Sequence, residues 1–381
     1  MNFTIMTGDN RETLKTLADN SVDAIITDPP YGIDFLGKAW DANTGAIETY
    51  TECLRVLKPG GHILAFSAAR TYHHLAITLE QAGFEIRDQI MWIYSSGFPK
   101  AQDIGKAIDK RAGNKDANYV GVSKTNKQKN KETKDGINDF GGGVFCSKCN
   151  RTINQSIINA CPEQPCGQVY THQTEDGKTW AGWKTQLKPA HEPICMARKP
   201  FKGSTLDNVL THGLGALNID ATRIPYEDLQ YTQGRFPSNV LGEIDGYQKF
   251  FYCPKVSRKE RHVGFETKDI PTNPNGMLDD SYNDATRGQN YNDIALTKSG
   301  NNHPTVKPIE LMKYLINLVT PPNSVVLDPF NGSGSTGMAA VELGHTYIGC
   351  ELDPAYVDIA TKRITAWNTP DSTSTFEDLF E

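Results

Sequence analysis

The chain has 381 residues with 39 basic and 45 acidic side chains, a formal net charge of -6. This length allows one large α/β domain with an insertion, or two domains. No apolar run approaches the roughly 18 residues that a membrane-spanning helix needs, and no secretory leader is evident, so we expect a cytoplasmic protein without membrane contact. The eight cysteines are too few for a disulfide scaffold in a chain of this size.

Positive charge is concentrated in one segment. Residues 100–151 hold twelve Lys and Arg against six Asp and Glu, so the segment is about six units positive and the rest about twelve units negative. Such asymmetry indicates a local phosphate-binding surface on an otherwise acidic protein. Five lysines form its centre: Lys124, Lys127, Lys129, Lys131 and Lys134. A solvated, lysine-rich loop is the alternative interpretation of these five.

Strands and helices alternate along the first part of the chain. Apolar periodicity and turn residues predict strands at 3–6, 21–27, 62–66 and 84–92, and helices at 11–17, 49–57, 72–82 and 104–112. This alternation predicts a mostly parallel sheet. The pattern stops at residues 113–143, where Lys, Asn, Gly and Asp dominate.

Regular structure resumes later in the chain. A strand at 190–198 is expected to rejoin the sheet, and residues 267–302, rich in Asn, Asp and Gly, are expected to form a long mobile surface loop. The remaining predicted elements are a helix at 309–319, a strand at 324–327, a helix at 336–343, a strand at 347–351 and a helix at 355–367. An acidic tail, residues 368–381, is expected to be disordered.

Two segments at opposite ends of the chain carry the chemistry. The first is Asp28-Pro29-Pro30-Tyr31; the second is Asp328-Pro329-Phe330-Asn331-Gly332-Ser333-Gly334-Ser335-Thr336. Each follows a short apolar, β-branched run that predicts a buried parallel strand, and open α/β sheets bind ligands where such strands end. The sequence therefore predicts one active site built from both segments. Alone, the first segment could equally be a simple turn between strand and helix.

The second segment resembles the cofactor loop of S-adenosylmethionine-dependent methyltransferases, and the first resembles the Asp-Pro-Pro-Tyr signature of DNA amino-methyltransferases. The first precedes the second, as in the circularly permuted β group of that family. The resemblance implies a Rossmann-like methyltransferase fold of the α/β class, with a doubly wound, mostly parallel sheet. It covers most of the chain outside the middle insert.

Four regions are expected on this basis. Residues 1–112 form the catalytic half of the methyltransferase domain, and residues 113–185 an inserted, basic target-recognition module. Residues 186–367 form the remainder, including the cofactor-binding half and the mobile loop. Residues 368–381 are the tail.

The cofactor implied by the resemblance is S-adenosylmethionine, held by residues 328–336. Small residues at Gly332, Ser333 and Gly334 let the backbone approach it closely, and the helix opening at Ser335 and Thr336 offers amide donors to its carboxylate. The spacing lacks the third glycine of the dinucleotide fingerprint, and no Gly-Lys-Ser/Thr is present. Both observations favour a methyltransferase over a dehydrogenase or a nucleotide-triphosphate enzyme.

Five side chains are assigned to the same cofactor. Asp328 is expected to meet its ammonium group, and Glu351 its ribose hydroxyls, as the acidic residue of dinucleotide folds does. Asp9 matches the family contact to the adenine amino group. Thr305 and Lys307, in the segment His-Pro-Thr-Val-Lys-Pro, are expected in the methionine pocket. A rigid, proline-bracketed start of a helix is the alternative for these two.

The Asp-Pro-Pro-Tyr segment suits transfer to an exocyclic amine, whose lone pair is delocalised into the base. Hydrogen bonds to the Asp28 carboxylate and the Pro29 carbonyl would direct that lone pair, and Pro29 and Pro30 stiffen the loop. Tyr31 offers a face on which a flipped base can stack. We expect direct in-line displacement onto adenine N(6), because aspartate at this position favours adenine within the family. Cytosine N(4) is the alternative target.

Four cysteines lie in the polar insert: Cys146, Cys149, Cys161 and Cys166. Their spacing predicts a structural zinc site, with unligated thiols as the alternative. The leading hypothesis is thus a bacterial or phage DNA adenine methyltransferase acting on double-stranded DNA, with a second copy and a cognate restriction enzyme as candidate partners. A non-catalytic, zinc-containing DNA-binding protein on the same scaffold is the rival from another class.

Overall fold

The computed structural model describes residues 2–33, 44–94, 101–113, 172–187, 189–225, 233–242, 256–265, 300–303 and 305–369, and the backbone of four short strands between residues 119 and 170. The chain divides into two compact units, residues 1–96 with 190–381, and residues 97–189. Within the described part, no helix is long and apolar enough to cross a membrane.

An eight-stranded sheet forms the centre of the first unit. Its strands are β1 (Phe3–Thr7), β2 (Val22–Thr27), β3 (Leu57–Phe66), β4 (Glu85–Ile93), β9 (His191–Arg198), β10 (Val240–Gly242), β11 (Val325–Asp328) and β12 (Thr346–Glu351). Their order across the sheet is β1-β12-β11-β2-β3-β9-β4-β10. Only β9 runs antiparallel to its neighbours, so the prediction of a mostly parallel sheet is confirmed.

Helices cover both faces of this sheet. They are α1 (Asn10–Thr13), α2 (Ile47–Val56), α3 (Tyr72–Gln81), α6 (Thr205–His212), α7 (Arg258–His262), α8 (Ile309–Val319), α9 (Ser335–Glu342) and α10 (Pro354–Trp367). Strand β2 is buried along its whole length. Because strand side chains alternate, its Ala24 and Ile26 pack with α8, α9 and α10, and its Ile25 packs with α2 and α3. The doubly wound α/β class is confirmed.

Strand β3 is longer than predicted. It begins at Leu57, whereas the sequence Lys-Pro-Gly-Gly had predicted a turn between a helix and a strand that starts at residue 62. Gly60 has φ +80°, and its amide donates to the Lys199 carbonyl at 3.1 Å. The glycine therefore accommodates an irregularity inside the strand, where the register against β2 shifts.

Strand β4 also contains a register shift, between Ile86 and Asp88. Ile86 is 38% exposed while Ile90 is buried. The shift breaks the two-residue alternation of a regular strand, so the even spacing of these two residues does not give them the same burial.

The second unit contains helix α4 (Ile104–Arg111), helix α5 (Glu175–Thr179) and two antiparallel strand pairs, β5 (Tyr119–Val120) with β8 (Val169–Tyr170) and β6 (Val144–Cys146) with β7 (Arg151–Ile153). The fully buried Asp109 joins its helices, because it accepts from the Thr174 amide at 2.9 Å and the Thr174 hydroxyl at 2.7 Å. The unit contains the range 113–185 predicted as an insert, and also α4.

The predicted mobile loop, residues 267–302, lies outside the described residues except for its last three positions. The predicted tail lies outside them from residue 370 onward.

Candidate active site

The two sequence segments leave the sheet side by side. Strands β2 and β11 are parallel neighbours with Val326 opposite Ala24, so both end at the same edge of the sheet. The Thr27 hydroxyl donates to Asp328 Oδ1 at 2.7 Å, and the Asn10 side-chain amide donates to the Pro329 carbonyl at 2.9 Å. Segments about three hundred positions apart thus share one site.

Asp328 is 2% exposed and is bound entirely by the protein. Besides Thr27, the Thr336 hydroxyl donates to its Oδ2 at 2.7 Å and the Phe330 amide donates to its Oδ1 at 3.0 Å. Burial raises the pKa of Asp328 to about 6, although these hydrogen bonds oppose the rise. Its observed role is to tie β2, the glycine loop and α9 together; contact with a cofactor ammonium stays a prediction.

The glycine loop, residues 331–334, is closely packed from behind. Gly332 and Gly334 have φ of +52° and +82°. A Cβ on Gly334 would lie 2.9 Å from Cβ of Ala360, and one on Gly332 would lie 2.9 Å from Nε2 of His303. These glycines are therefore required by backbone conformation and by protein packing, which the sequence argument about close cofactor approach did not anticipate.

Further contacts hold the loop to β12. The Asn331 amide donates to the Cys350 carbonyl at 2.9 Å, and the Tyr347 hydroxyl donates to Asn331 Oδ1 at 2.7 Å. A Cβ on Gly349 would lie 2.6 Å from that oxygen, so the strand needs a glycine there. Together, these contacts of Asn331 with β12 fix where the loop leaves the sheet.

Glu351 lies at the end of β12, as predicted from its position after an apolar run. Its carboxylate accepts from the Gly332 amide at 2.8 Å and from the Asp353 amide at 2.9 Å. Burial raises the pKa of Glu351, and these amide hydrogen bonds offset only part of the rise. The next residue, Leu352, is 67% exposed, so an apolar surface lies beside a fixed carboxylate.

Asp28 takes part in a cluster of four polar side chains. The Lys307 ammonium donates to Asp28 Oδ2 at 2.5 Å and to the Tyr31 hydroxyl oxygen at 3.2 Å. The Tyr31 hydroxyl lies 2.8 Å from both Asp28 Oδ1 and Glu192 Oε2. Lys307 is also 3.5 Å from Glu192 Oε2, so one cation serves two carboxylates.

Lys307 therefore lies against the Asp-Pro-Pro-Tyr segment, and the cofactor contact expected of it stays a prediction. Its side chain is 7% exposed and its ammonium lies 4.9 Å from the centre of the Phe66 ring. Desolvation lowers the pKa of Lys307, but the charges of Asp28 and Glu192 together outweigh this effect. The pKa of Lys307 is therefore raised.

Thr305 contacts His303 through its backbone. His303 Nδ1 lies 2.6 Å from the Thr305 carbonyl, and burial lowers the pKa of His303 to about 4, which keeps the ring neutral near pH 7. Pro304 lies outside the described residues. A role of the Thr305 side chain toward a cofactor stays a prediction.

Asp9 caps helix α1, because its carboxylate accepts from the Arg11 amide at 2.9 Å. The Arg11 guanidinium pairs with the same carboxylate at 2.5 Å. These bonds from Arg11 lower the pKa of Asp9. The adenine contact assigned to Asp9 stays a prediction, and Arg11 competes for that carboxylate.

Two functional candidates were missed by the sequence reasoning. Glu192 was noted only as part of a strand, since an acid near the start of an apolar run carries no signal of what it will face. Arg363, in α10, is fully buried and donates to the Ser333 carbonyl at 2.5 Å and to the Glu260 carbonyl at 2.8 Å. A buried guanidinium behind a cofactor loop is detectable only from the packing of α10.

Most residues predicted to act in the basic insert lie outside the described part of the chain. The five lysines at 124, 127, 129, 131 and 134 and the cysteines at 149, 161 and 166 lie outside the described residues, and of Cys146 only the backbone, in β6, is described. Among the side chains that the structure describes, no group of three or more His, Cys, Asp or Glu is arranged to hold a metal ion. Cys53, Cys195 and Cys350 are buried free thiols.

Comparison with known proteins places this chain in a family. It is 25% identical to the type II methyltransferase M.HindIII of Haemophilus influenzae over an alignment of 407 positions that covers 94% of each chain. Similar solved structures include the M1.HpyAVI-SAM complex (TM-score 0.43, 18% identity, 95% of this chain and 99% of that one) and the cytosine-N4-specific PvuII DNA methyltransferase (TM-score 0.47, 14% identity, 100% and 90%). The sequence model of a family described as DNA methylase matches residues 22–362. Because that match spans most of its length, the chain belongs to the DNA methylase family, whose members modify adenine N(6) or cytosine N(4).

Proposed function

We propose that this DNA methyltransferase transfers a methyl group from S-adenosylmethionine to the N(6) amine of an adenine flipped out of double-stranded DNA. One observation carries the proposal. The segment that contains Asp28 and the glycine loop follow adjacent parallel strands and begin at the same edge of the sheet. The 2.7 Å hydrogen bond from Thr27 to Asp328 joins the ends of these two strands. A methyl acceptor held at one loop therefore lies beside a donor held at the other.

The chain offers residues that fit the cofactor. Glu351 would accept from the ribose hydroxyls, because each of its oxygens has taken one backbone amide and retains a second lone pair. The exposed Leu352 would pack against the adenine ring of the cofactor. The first turn of α9 would face the carboxylate of the cofactor's methionine part. When bound, S-adenosylmethionine would supply an electrophilic methyl group on a sulfonium that leaves with the carbon–sulfur electron pair.

Four groups of this chain would hold the target amine. The Asp28 carboxylate and the Pro29 carbonyl would accept its two hydrogens, which draws the nitrogen toward tetrahedral geometry and frees its lone pair. The Tyr31 ring would stack on the base and recover part of the few kcal/mol that flipping costs. Lys307 pairs with Asp28 at 2.5 Å and compensates the negative charge of that carboxylate.

Adenine is the proposed target because aspartate at position 28 favours it in the family comparison. The order of the segments, with Asp28 before the glycine loop, is that of the permuted β group. We further propose zinc on the four insert cysteines, DNA contacts by the five lysines, and pairing with a second copy or a restriction enzyme. Composition, spacing and resemblance support these proposals.

The test is incubation of the chain and unmethylated DNA with radiolabelled S-adenosylmethionine, followed by nucleoside analysis. Labelled N(6)-methyladenine is expected, and its rate of formation should fall by about 10²–10⁴-fold in Asp28→Ala. Label in N(4)-methylcytosine would transfer the proposal to the cytosine alternative. Absence of any label, together with no cofactor binding by calorimetry, would favour the non-catalytic DNA-binding protein instead.

A further inference from the structure

The site contains a second carboxylate that the proposed transfer does not use. Glu192 lies near the start of β9, the antiparallel strand between β3 and β4, opposite Trp92. Its Oε2 is 2.8 Å from the Tyr31 hydroxyl, and its Oε1 is 3.4 Å from the Tyr94 hydroxyl. Its side chain is 21% exposed, so one end faces the cluster while water can reach it.

The hydroxyl of Tyr31 joins the two carboxylates through one proton. It lies 2.8 Å from Asp28 Oδ1 and 2.8 Å from Glu192 Oε2, yet it can donate to only one of them at a time. Burial, followed by the charges of Asp28 and Glu192, raises the pKa of Tyr31 far above its ordinary value. The phenol therefore keeps a proton throughout and can receive one from one side while it releases one to the other.

Charge decides which carboxylate should end with an extra proton. Among the described residues, the cation that pairs with Asp28 and Glu192 is Lys307, which lies 2.5 Å from Asp28 but 3.5 Å from Glu192. Protonation of Glu192 makes the cluster neutral and leaves the tighter ion pair, between Lys307 and Asp28, intact. Protonation of Asp28 would break that tighter pair.

We propose that Glu192 is a positioning residue that receives the proton lost by the target amine, through Asp28 and Tyr31; this inference rests on the proposed methyl transfer. As the amine lone pair forms its new bond to carbon, one N–H bond breaks, its electrons stay on nitrogen and the proton passes to the Asp28 carboxylate. Asp28 passes a proton to the Tyr31 oxygen, and Tyr31 passes its own to Glu192 Oε2. Asp28 returns to its ionised state beside Lys307, and Glu192 releases the proton to water.

The experiment compares variants by single-turnover methylation of DNA under rapid quench, with excess enzyme. Glu192→Gln keeps the size of the side chain and an oxygen that accepts from Tyr31, but takes up no proton at that position. Its rate constant should fall by about 10²-fold while cofactor and DNA affinities stay within a few-fold. Glu85→Gln is the matched control and should leave the rate unchanged. Glu85 lies at the start of β4, at the opposite end from Trp92, which faces Glu192, and it pairs with Arg198 at 2.7 Å.

If Tyr31 and Glu192 act in one proton relay, the effects of their substitutions should not multiply, which a purely structural role would not predict. Tyr31→Phe keeps the stacking ring and removes the relay hydroxyl, so the double variant with Glu192→Gln should be no slower than the slower single variant. Added formate should restore part of the rate of Glu192→Ala, because it supplies a proton acceptor in the vacated space.

Three results would overturn the relay: a Glu192→Gln rate within two-fold of the wild type, a double-variant loss equal to the product of the single losses, or no effect of formate on Glu192→Ala. Should Glu192→Gln not fold, Tyr31→Phe alone decides, since a rate equal to that of the wild type would contradict the route. If the wild-type chain does not methylate DNA, the proposed function fails, which is a separate outcome.

Discussion

The hydroxyl of Thr27 and the carboxylate of Asp328 are 301 positions apart in the chain and 2.7 Å apart in the fold. Each lies at the end of its strand, β2 and β11, immediately before or within the loop that carries the chemistry. The bond therefore sets the spacing between the Asp-Pro-Pro-Tyr segment and the glycine loop, and Asp328 is the residue on which the geometry of the site depends.

Asp328 should make stability depend on pH. Its pKa rises from 3.8 to about 6 in the fold because it is buried, so the folded chain binds this proton more tightly than the unfolded chain does. Its contribution to stability is complete below pH 4 and is lost as the pH rises through 6. The unfolding free energy of the wild type minus that of Asp328→Asn should therefore fall by about 3 kcal/mol over this window.

Urea unfolding at several pH values measures this difference. Thr336→Val provides a second reading, because loss of the hydroxyl donor at 2.7 Å should raise the pKa of Asp328 further and extend the fall above pH 6. Parallel curves for the wild type and Asp328→Asn between pH 4 and 7 would contradict the prediction.

Lys307→Met should destabilise the fold by about 3 kcal/mol, because it leaves the carboxylates of Asp28 and Glu192 without their shared cation. Lys15→Met is the control, since that lysine pairs with Glu12 on the exposed surface and its loss should cost far less stability. Chemical unfolding near pH 7 compares the two. Equal losses would show that the buried cluster contributes no more than a surface pair.

Gly334→Ala should weaken cofactor binding, whereas Gly344→Ala should not. Both glycines have nearly the same left-handed backbone, φ +82° and +81°, so both substitutions carry a conformational cost of about 1–2 kcal/mol. Only at Gly334 would the new Cβ meet a neighbour, Ala360 at 2.9 Å; at Gly344 nothing lies within 4 Å. Calorimetry with S-adenosylmethionine separates the two, and similar affinities for both variants would refute the packing argument.

Arg363→Met should loosen the glycine loop from behind. The guanidinium donates to the carbonyls of Ser333 and Glu260, and its loss would leave both buried acceptors unpaired at a cost of about 3 kcal/mol. Arg363→Lys keeps a charge but has a single nitrogen, so an intermediate loss is expected. Hydrogen exchange of the amides of residues 331–334 should rise in the same order. Unchanged exchange in Arg363→Met would mean that the loop does not need this support.

The insert should carry about one zinc ion per chain if its four cysteines form the predicted tetrahedral site. Metal analysis of the purified chain should find zinc, and Cys149→Ser should lose it, while Cys195→Ala, at a buried thiol in β9, should retain it. Removal of zinc by a chelator should unfold the insert, because the segment has few apolar residues with which to fold otherwise. A chain free of zinc would leave the thiols unligated.

Local sequence was sufficient where one short segment decides its own structure. Buried β-branched runs before Asp28 and Asp328 predicted the strands, and the parallel sheet then brought their loops to one edge. Local patterns failed at Gly60, where a turn signal lies inside a long strand, and at Ile86, where a register shift changes which face a side chain occupies.

The partners of the site residues could not be predicted in this way. Lys307 pairs with Asp28, and Asp9 is bound by Arg11, contacts that no local pattern indicated; the cofactor contacts of both residues stay predictions. Glu192 had no assignment at all. Each case concerns a charged side chain whose contacts come from a distant element or an unrecognised neighbour.

The elements and the two chemical segments follow from local sequence, because strand and helix patterns and loop chemistry depend on residues within a few positions of one another. The pairing of charges depends on how distant elements pack: β9 is inserted antiparallel between β3 and β4, and the segment before α8 lies across the same edge of the sheet. That arrangement brings Glu192 and Lys307 to Tyr31 from 161 and 276 positions away. Local sequence patterns extend over only a few residues and therefore cannot predict contacts across such separations.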